Sequence, residues 1–456
     1  PQANLQGQIS MEKSVIANYL IDTSFTDFKY ENQRLQLDSL ELKSEAVDLS
    51  AAGIYDLENE SDLTVTMDVK ELAPFQEYIP VDSLDAKGKF NARMQGKMDS
   101  LTISADLNLD SVGYQSIETR KVAGKLKINL GQQPIQAEGE LSLSQVKNNS
   151  LMLDTVNLAA NYSDKFADLD LEIWQNENRA NLVGSFSHTD APELIITDLA
   201  IDFDGQEWRH VGEDARITIL GDSYQVNDFH LIEQTGDRDQ EITASGNFSL
   251  EGSENFSLEI NNFNTSYLNE ILSIPAYIQG YLDFNLAIRG TAQQPDIEGE
   301  MTIDEGMLND FAYDSLVGGL NYNKEEFNFA FLLNSAEDDS IRITGKTSFN
   351  YSLSEQFDDF DKNTLFRVMV NTDKFPLDIF KSGNLPVKEF KGDGNCDITL
   401  SGTINQPEIS GNFRIDDGEI TAPEYGVNYK DLQLIISLNN KKINLLIFYI
   451  TELLKV

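Results

Sequence analysis

The sequence predicts an all-β protein: an elongated, twisted antiparallel β-sheet with a few short helices, which becomes a U-shaped groove if its oily faces all turn inward. Three observations predict it. Apolar and polar residues alternate with a period of two through successive runs of five to eight residues, which puts one set of side chains on each face of a strand. Asn, Asp, Gly and Pro turns separate the runs, and no helix long enough for a parallel crossover intervenes. The third observation is an internal repeat.

The clearest unit is Gly280 to Gly306, GYLDFNLAIRGTAQQPDIEGEMTIDEG. Leu282, Phe284, Leu286 and Ile288 alternate with Asp283, Asn285, Ala287 and Arg289. Gly290 breaks the run, and Gln293-Gln294-Pro295 forces a turn because proline fixes φ and removes a ladder donor. Ile297, Gly299, Met301 and Ile303 then alternate with acidic and polar residues. The unit is a hairpin with one oily face and one acidic face. It returns as GTINQPEISGNFRIDDG from Gly402 to Gly418, 112 residues after Gly290 and preceded by Cys396, Ile398 and Leu400. There Ile409, Phe413 and Ile415 take the apolar positions. A weaker copy surrounds Gly96, with Phe90, Ala92 and Met94 before it and Leu107 and Leu109 after it, but no turn proline.

A second landmark precedes each hairpin, an alternating strand with a glycine near its end and an aromatic residue beyond: LSAAGIY at Gly53, ITASGNF at Gly246 and ITGKTSF at Gly345. The spacing to the following hairpin glycine is 43, 44 and 57 residues, so the third copy carries an insertion. The repeat units span approximately 36–112, 227–306 and 327–418 within one continuous groove over 1–456.

The remaining chain has the same grammar. Phe25 to Tyr30, Leu35 to Leu42, Leu63 to Met67, Leu101 to Leu130, Ile135 to Val146, Ala167 to Ile173 and Ala180 to Phe186 all read as strands or meanders. Residues 151–160 echo residues 35–44. Glu71–Tyr78, Ser266–Ile274 and Phe375–Ser382 each read as a short helix ahead of a hairpin, a lid or cap for the groove or a filler at a sheet bend. On Ser266–Ile274 the apolar face is Leu268, Ile271 and Leu272, and Pro275 ends the helix. A strand per ~12 residues gives about 38 strands. The tail Ile443 to Ile450 is too short to cross a bilayer and reads as a buried strand. Both ends fall mid-pattern, so the sequence reads as a segment of a longer protein, with any anchor outside it.

Composition narrows the function. At 456 residues the chain exceeds the size at which one compact core stops growing. A formal charge of −42, from 76 Asp and Glu against 34 Lys and Arg, repels phosphate backbones and speaks against nucleic acid. It also speaks against docking through a basic face on anionic headgroups. A hydrophobic fraction of 40% is too high for an acidic disordered chain. The single cysteine, Cys396, forms no internal disulfide and sits at a wall position of a strand.

The hairpin pattern Gly-Thr-x-x-x-Pro-x-Ile-x-Gly-x-(Met/Phe)-x-Ile-x-x-Gly, met closely at Gly290 to Gly306 and Gly402 to Gly418, resembles the TamB and AsmA-like proteins of Gram-negative envelopes and the wider class of repeating β-groove lipid-transfer proteins. The resemblance implies a periplasmic lipid-transport bridge. Phospholipid or other acyl chains would be shielded in a hydrophobic groove between inner and outer membranes. It also implies a role in outer-membrane protein assembly beside a BamA-like barrel, and an inner-membrane anchor outside this segment. The groove lining expected from it is Phe90, Met94, Leu107 and Leu109 in the first copy, and Leu282, Phe284, Leu286, Ile288, Ile297, Met301 and Ile303 in the second. In the third it is Ile398, Leu400, Ile409, Phe413 and Ile415.

Catalytic chemistry has no foothold in the pattern. His188, His210 and His230 lie far apart, and no metal spacing, nucleophile elbow, P-loop or dinucleotide fingerprint occurs. Acidic pairs such as Asp202/Asp204, Asp237/Asp239 and Asp416/Asp417 read as solvated turns rather than calcium loops. The expectation is a protein that is no enzyme and holds no cofactor. An extracellular β-rich adhesin or carbohydrate-binding repeat protein without a lipid conduit is the alternative. Periodicity alone does not separate a dry sandwich core from a lipid-lined trough.

Overall fold

The computed structural model describes residues 4–16, 19–72, 84–131, 133–148, 151–234, 236–272, 277–309, 311–335, 339–353, 361–377, 379, 389–422, 427–440, 442–449 and 452–455. Its contacts divide into two units, Pro1–Asp214 and Ala215–Val456.

The first unit is a meander beginning with β1 (Asn4–Ile16), β2 (Tyr19–Glu31), β3 (Arg34–Ser44), β4 (Val47–Asp56) and β5 (Ser61–Val69). It continues through β6 (Leu84–Gly96), β7 (Thr102–Tyr114), β8 (Ile117–Asn129), β9 (Gln136–Asn148) and β10 (Leu151–Ser163). It ends with β11 (Phe166–Gln175), β12 (Asn178–Ser187), β13 (Glu193–Phe203) and β14 (Gln206–His210). Each strand pairs antiparallel with the next.

The second unit opens with β15 (Ala215–Leu220), β16 (Ser223–Glu233), β17 (Gln240–Ser249), β18 (Ser253–Asn264) and the helix α1 (Ser266–Leu272). Then come β19 (Ile278–Thr291), β20 (Gln294–Leu308), β21 (Phe311–Asn323), β22 (Glu326–Asn334), β23 (Ser340–Ser348) and β24 (Phe366–Pro376). The last are β25 (Glu389–Gly402), β26 (Pro407–Ala422), β27 (Val427–Asn439), β28 (Lys442–Tyr449) and β29 (Glu452–Lys455). Sequential strands again pair antiparallel, and both β28 and β29 pair with β27.

The all-β, antiparallel class expected from alternation is the one observed. The described residues form 29 strands where the spacing predicted about 38, because individual strands run longer. Strands of 13 residues are frequent and β26 has 16, and several turns use only two residues. Asn32-Gln33, Asp164-Lys165 and Lys324-Glu325 each carry two successive positive φ values, near 50–70°. That is the mirror-type turn whose twist matches the strands it joins. Within the second unit, φ values of 55°, 53° and 52° at Asp228, Asn262 and Asp417 coincide with register slips. Such bulges bend a strand and sharpen the twist of the sheet.

The three hairpin glycines share one backbone geometry. Gly96, Gly290 and Gly402 have φ of 112°, 90° and 96°. A Cβ there would lie 2.7, 2.6 and 2.5 Å from the carbonyl oxygens of Ser100, Gln294 and Gln406, so no other residue fits the turn. The threonine after the glycine has its own task. The Gln294 amide donates to Thr291 Oγ1 at 3.1 Å, and the Gln406 amide to Thr403 Oγ1 at 3.0 Å.

The upstream glycines divide. Gly53 and Gly246 have φ of 131° and 112°, whereas Gly345 has no positive φ and lies beneath the Phe329 ring. A Cβ at Gly345 would come within 2.2 Å of that ring. Gly345→Val is therefore expected to destabilise the second unit by about 1–3 kcal/mol through overpacking. Chemical denaturation reads this directly, and an unchanged midpoint would rule out the stacked arrangement.

Among the described residues α1 is the one α-helix. Asn269 pins it to the start of β19, its Nδ2 donating to the Ile278 carbonyl at 2.6 Å and its Oδ1 accepting from the Ile278 amide at 2.9 Å. Among its described side chains Tyr267 is buried, edge-on to Phe263, and Leu268 is half-buried, while those of Ile271 and Leu272 lie outside the described residues. Of the other expected helices, 73–78 lies outside the described residues, as do 378 and 380–382. Phe375 and Pro376 close β24, and Leu377 and Ile379 fall in a 3-10 turn.

Two buried clusters lie in the second unit. Phe375, Leu377, Cys396 and Ile415 form one, and Ile303, Phe311 and Tyr313 the other. Ile379 packs against both. Burial and the neighbouring Asp397 charge push the Cys396 thiol above its ordinary pKa, which keeps it from the reactive thiolate form. Alkylation by iodoacetamide at pH 8 is expected to be slow in the folded protein and fast in denaturant. Equal rates would contradict the burial.

Candidate apolar wall

Cross-strand register decides which side chains share a face. In the first unit one row runs Met67, Phe90, Leu107, Gly124, Leu141, Leu158, Leu171, Leu182 and Leu199, one residue from each of β5 to β13. Beside it run Val65, Ala92, Ala105, Leu126, Gly139, Ala160, Leu169 and Gly184. In the second unit a row runs Ala244, Leu258, Leu286, Gly299, Leu320, Phe329, Gly345, Val368, Leu400 and Ile409, from β17 to β26. No position in these rows is polar. Each unit therefore carries an apolar wall crossing many strands.

The residues expected from the repeat fall on these walls. Phe90 faces Leu107, Met94 faces Ile103, and Leu109 lies between Gly88 and Val122. Leu282 faces Ile303, Phe284 faces Met301, Ile288 faces Ile297, and Leu286 faces Gly299. On β25 and β26, Leu400 faces Ile409, Ile398 faces Gly411, Cys396 faces Phe413 and Gly394 faces Ile415. Ile288, Ile303 and Ile415 are buried, and the other thirteen are half-buried. Apolar side chains left half-covered over so many strands form a surface with something still to bury.

The wall is hollowed in the first unit. A concavity of about 310 Å³ opens on β6 to β10, lined chiefly by Phe90, Ala105, Leu107, Gly124, Leu126, Gly139, Leu141, Leu158 and Ala160. Alanines and glycines beside the leucine row lower the surface there. Leu126, at its centre, is 44% exposed.

The apolar face of the second unit carries the rings of Phe284, Phe329 and Phe331, and its two margins are bordered. At the strand ends near Ile278 stand α1, Leu377 and Ile379. At the opposite ends Phe349 to Leu353 cross over. The Tyr322 hydroxyl donates to the Phe349 carbonyl at 3.1 Å and accepts from the Tyr351 amide at 2.8 Å. The Leu353 amide donates to the Ala292 carbonyl at 2.7 Å.

Sequence reasoning did not single out Leu141, Leu158, Leu171 and Leu182, or Phe329 and Phe331. Alternation in ELSLSQV, VNLAANY, DLDLEI, ANLVGSF and FNFAF carries them, but these runs lie away from the quoted hairpins. The marginal residues Leu377 and Ile379 fall in Phe375–Ser382, the stretch that sequence marks as a cap or a filler at a sheet bend, but which of its side chains pack inward depends on tertiary contact.

The opposite face is polar and carries the ion pairs, for example Arg93–Asp62 at 2.7 Å, Lys127–Glu138 at 2.8 Å and Arg179–Glu172 at 2.6 Å. These exposed pairs add little stability individually. The Asn157 amide, the Trp174 indole and the Arg179 guanidinium hold the Glu172 carboxyl below its ordinary range. Among the described residues no group of three His, Cys, Asp or Glu side chains could hold a metal ion. No described helix is long and apolar enough to cross a membrane.

Fold and site together define an antiparallel β-sheet protein with an apolar wall on one face and a charged surface on the other. Residues 1–415 match the family described as TamB, N-terminal domain, and the chain belongs to that family. It is a family of envelope-associated transport and assembly proteins. No curated protein and no solved structure matches the chain.

Proposed function

We propose that the apolar wall carries phospholipid acyl chains through the periplasm between the inner and outer membranes, with headgroups projecting to solvent. The observation that supports this most is the unbroken apolar row on each unit, ten strands long in the second. Each CH₂ exposed to water costs ~0.8 kcal/mol, so a chain of ~16 carbons costs on the order of 10 kcal/mol. A carrier must therefore offer apolar surface without gaps, and each strand adds ~4.8 Å of it.

On this reading Phe90, Met94, Leu107, Leu109, Leu282, Phe284, Leu286, Ile288, Ile297, Met301, Ile398, Leu400, Ile409 and Phe413 are acyl-chain contacts, whereas Ile303 and Ile415, buried in the two packed clusters, support the wall from behind; the three repeat units each supply a stretch of the groove. A wall of this kind has no motor, so any drive comes from other components. Assistance to outer-membrane protein assembly, beside a BamA-like barrel, belongs to the same proposal through the family.

Extraction of the purified protein with organic solvent and mass spectrometry of the extract tests the reading. Stoichiometric phospholipid is the expected result. Absence of any acyl lipid would favour an adhesin-type repeat protein instead.

A further inference from the structure

The polar face of the first unit has a concavity of its own. It opens on β7 to β12 and measures about 690 Å³, within the ~300–1,000 Å³ range of ligand clefts. Two short residues make its floor. Ala123 lies between Asn108 and Ser142, and Ala159 between Glu140 and Asp170. One wall is fixed by a chain of contacts: Ser142 Oγ donates to Asn157 Oδ1 at 2.7 Å, Asn157 Nδ2 donates to Glu172 at 3.2 Å, and Glu172 pairs with Arg179.

The rest of the lining is unspent. Asp106, Lys125 and Glu140 stand directly opposite one another on three successive strands. Among the described residues, none of these three side chains has a hydrogen-bond or ion-pair partner, and neither has Lys121 nor Asn181. The adjacent Lys127 and Glu138 do pair, so proximity on this face is sufficient for pairing. The cleft keeps donors and acceptors open where its neighbours have closed theirs.

We propose that this cleft is a glycan-binding site for a short stretch of neutral oligosaccharide. An apolar ligand would have to desolvate the charged and amide side chains of the lining without replacing their hydrogen bonds. Local charge nearly cancels, with four carboxylates (Asp106, Glu140, Asp170, Glu172) against Lys121, Lys125 and Arg179, and the chain's net charge of −42 repels a polyanion. Donors and acceptors alternate across strands at ~4.8 Å steps. That pattern suits vicinal hydroxyls, each of which both donates and accepts. Leu141 and Leu158 line the apolar hollow on the other side of the same strands, so sugar and acyl chain would occupy opposite faces.

Isothermal titration of the whole 456-residue protein with maltohexaose, cellohexaose and chitohexaose tests the proposal. Saturable binding of at least one is expected, weakened tenfold or more by Lys125→Met and by Glu140→Gln. Both variants alter exposed side chains, and circular dichroism reports whether each is folded. Three results would overturn the site: no saturable heat with any of the three sugars, affinity unaltered in both folded variants, or binding only to a heparin hexasaccharide or a polylysine peptide.

Discussion

Placing aspartate at Leu286 or arginine at Leu400 is expected to strip bound acyl lipid from the protein while leaving its β-structure in place. Leu286 sits between Leu258 and Gly299, and Leu400 between Val368 and Ile409, all on the apolar row of the second unit. Both leucines are half-buried, so the new side chain meets no packed core on its own account. What it meets is the acyl chain. An arginine facing lipid on a β-sheet wall costs ~2–4 kcal/mol and an aspartate less, so Leu400→Arg should lose occupancy roughly 30-fold or more and Leu286→Asp should lose it to a smaller extent. Lipid per mole of protein, by mass spectrometry, should fall accordingly, with the far-ultraviolet dichroism unchanged. The control is Asn285→Asp, one residue away on the opposite face, which should retain lipid. Equal retention in all three variants would remove the wall from the account.

The largest stability effect is expected at Phe375→Ala. Phe375 is 3% exposed, lies tilted against Phe413 with ring centroids 6.1 Å apart, and covers Gly394, where a Cβ would lie 2.4 Å from its ring. Leu377 and Ile415, among the most buried residues of the chain, complete the cluster. Removing the ring leaves a cavity that the β-sheet backbone cannot close, and such truncations cost about 3–5 kcal/mol. The chemical-denaturation transition of the second unit should shift to lower denaturant by that amount. A shift of less than about 1 kcal/mol, at the level of an ordinary surface change, would show that the cluster is not a packed core.

The legible and illegible parts of this protein separate on physical grounds. Strand alternation is local, because a period of two fixes which side chains share a face. Hence Leu282, Phe284, Leu286 and Ile288 were placed on one face from sequence, and the register sets them there. Turn chemistry was equally local: Gly290 and Gly402 need positive φ, and sequence marked them as breaks. Strand length was less legible. Bulges at Asp228, Asn262 and Asp417 allow alternation to change phase without ending the strand. That is why fewer, longer strands form than the spacing suggested. Burial of Leu377 and Ile379 and of Tyr267 depends on what packs over them from elsewhere. The Gly345–Phe329 pair looked like the positive-φ glycines at Gly53 and Gly246, and only the neighbouring strand reveals that it is a ring-covered site. The polar cleft on β7 to β12 was invisible for the same reason, since its lining comes from six strands.

The most direct test of a lipid-bearing wall is a photo-crosslinking scan along β19, with a photoreactive residue placed in turn at each position from Leu282 to Arg289 in cells supplied with labelled phospholipid. Label is expected at Leu282, Phe284, Leu286 and Ile288, and not at Asp283, Asn285, Ala287 and Arg289. A signal with no such parity, or none at any of the eight positions, would contradict the account.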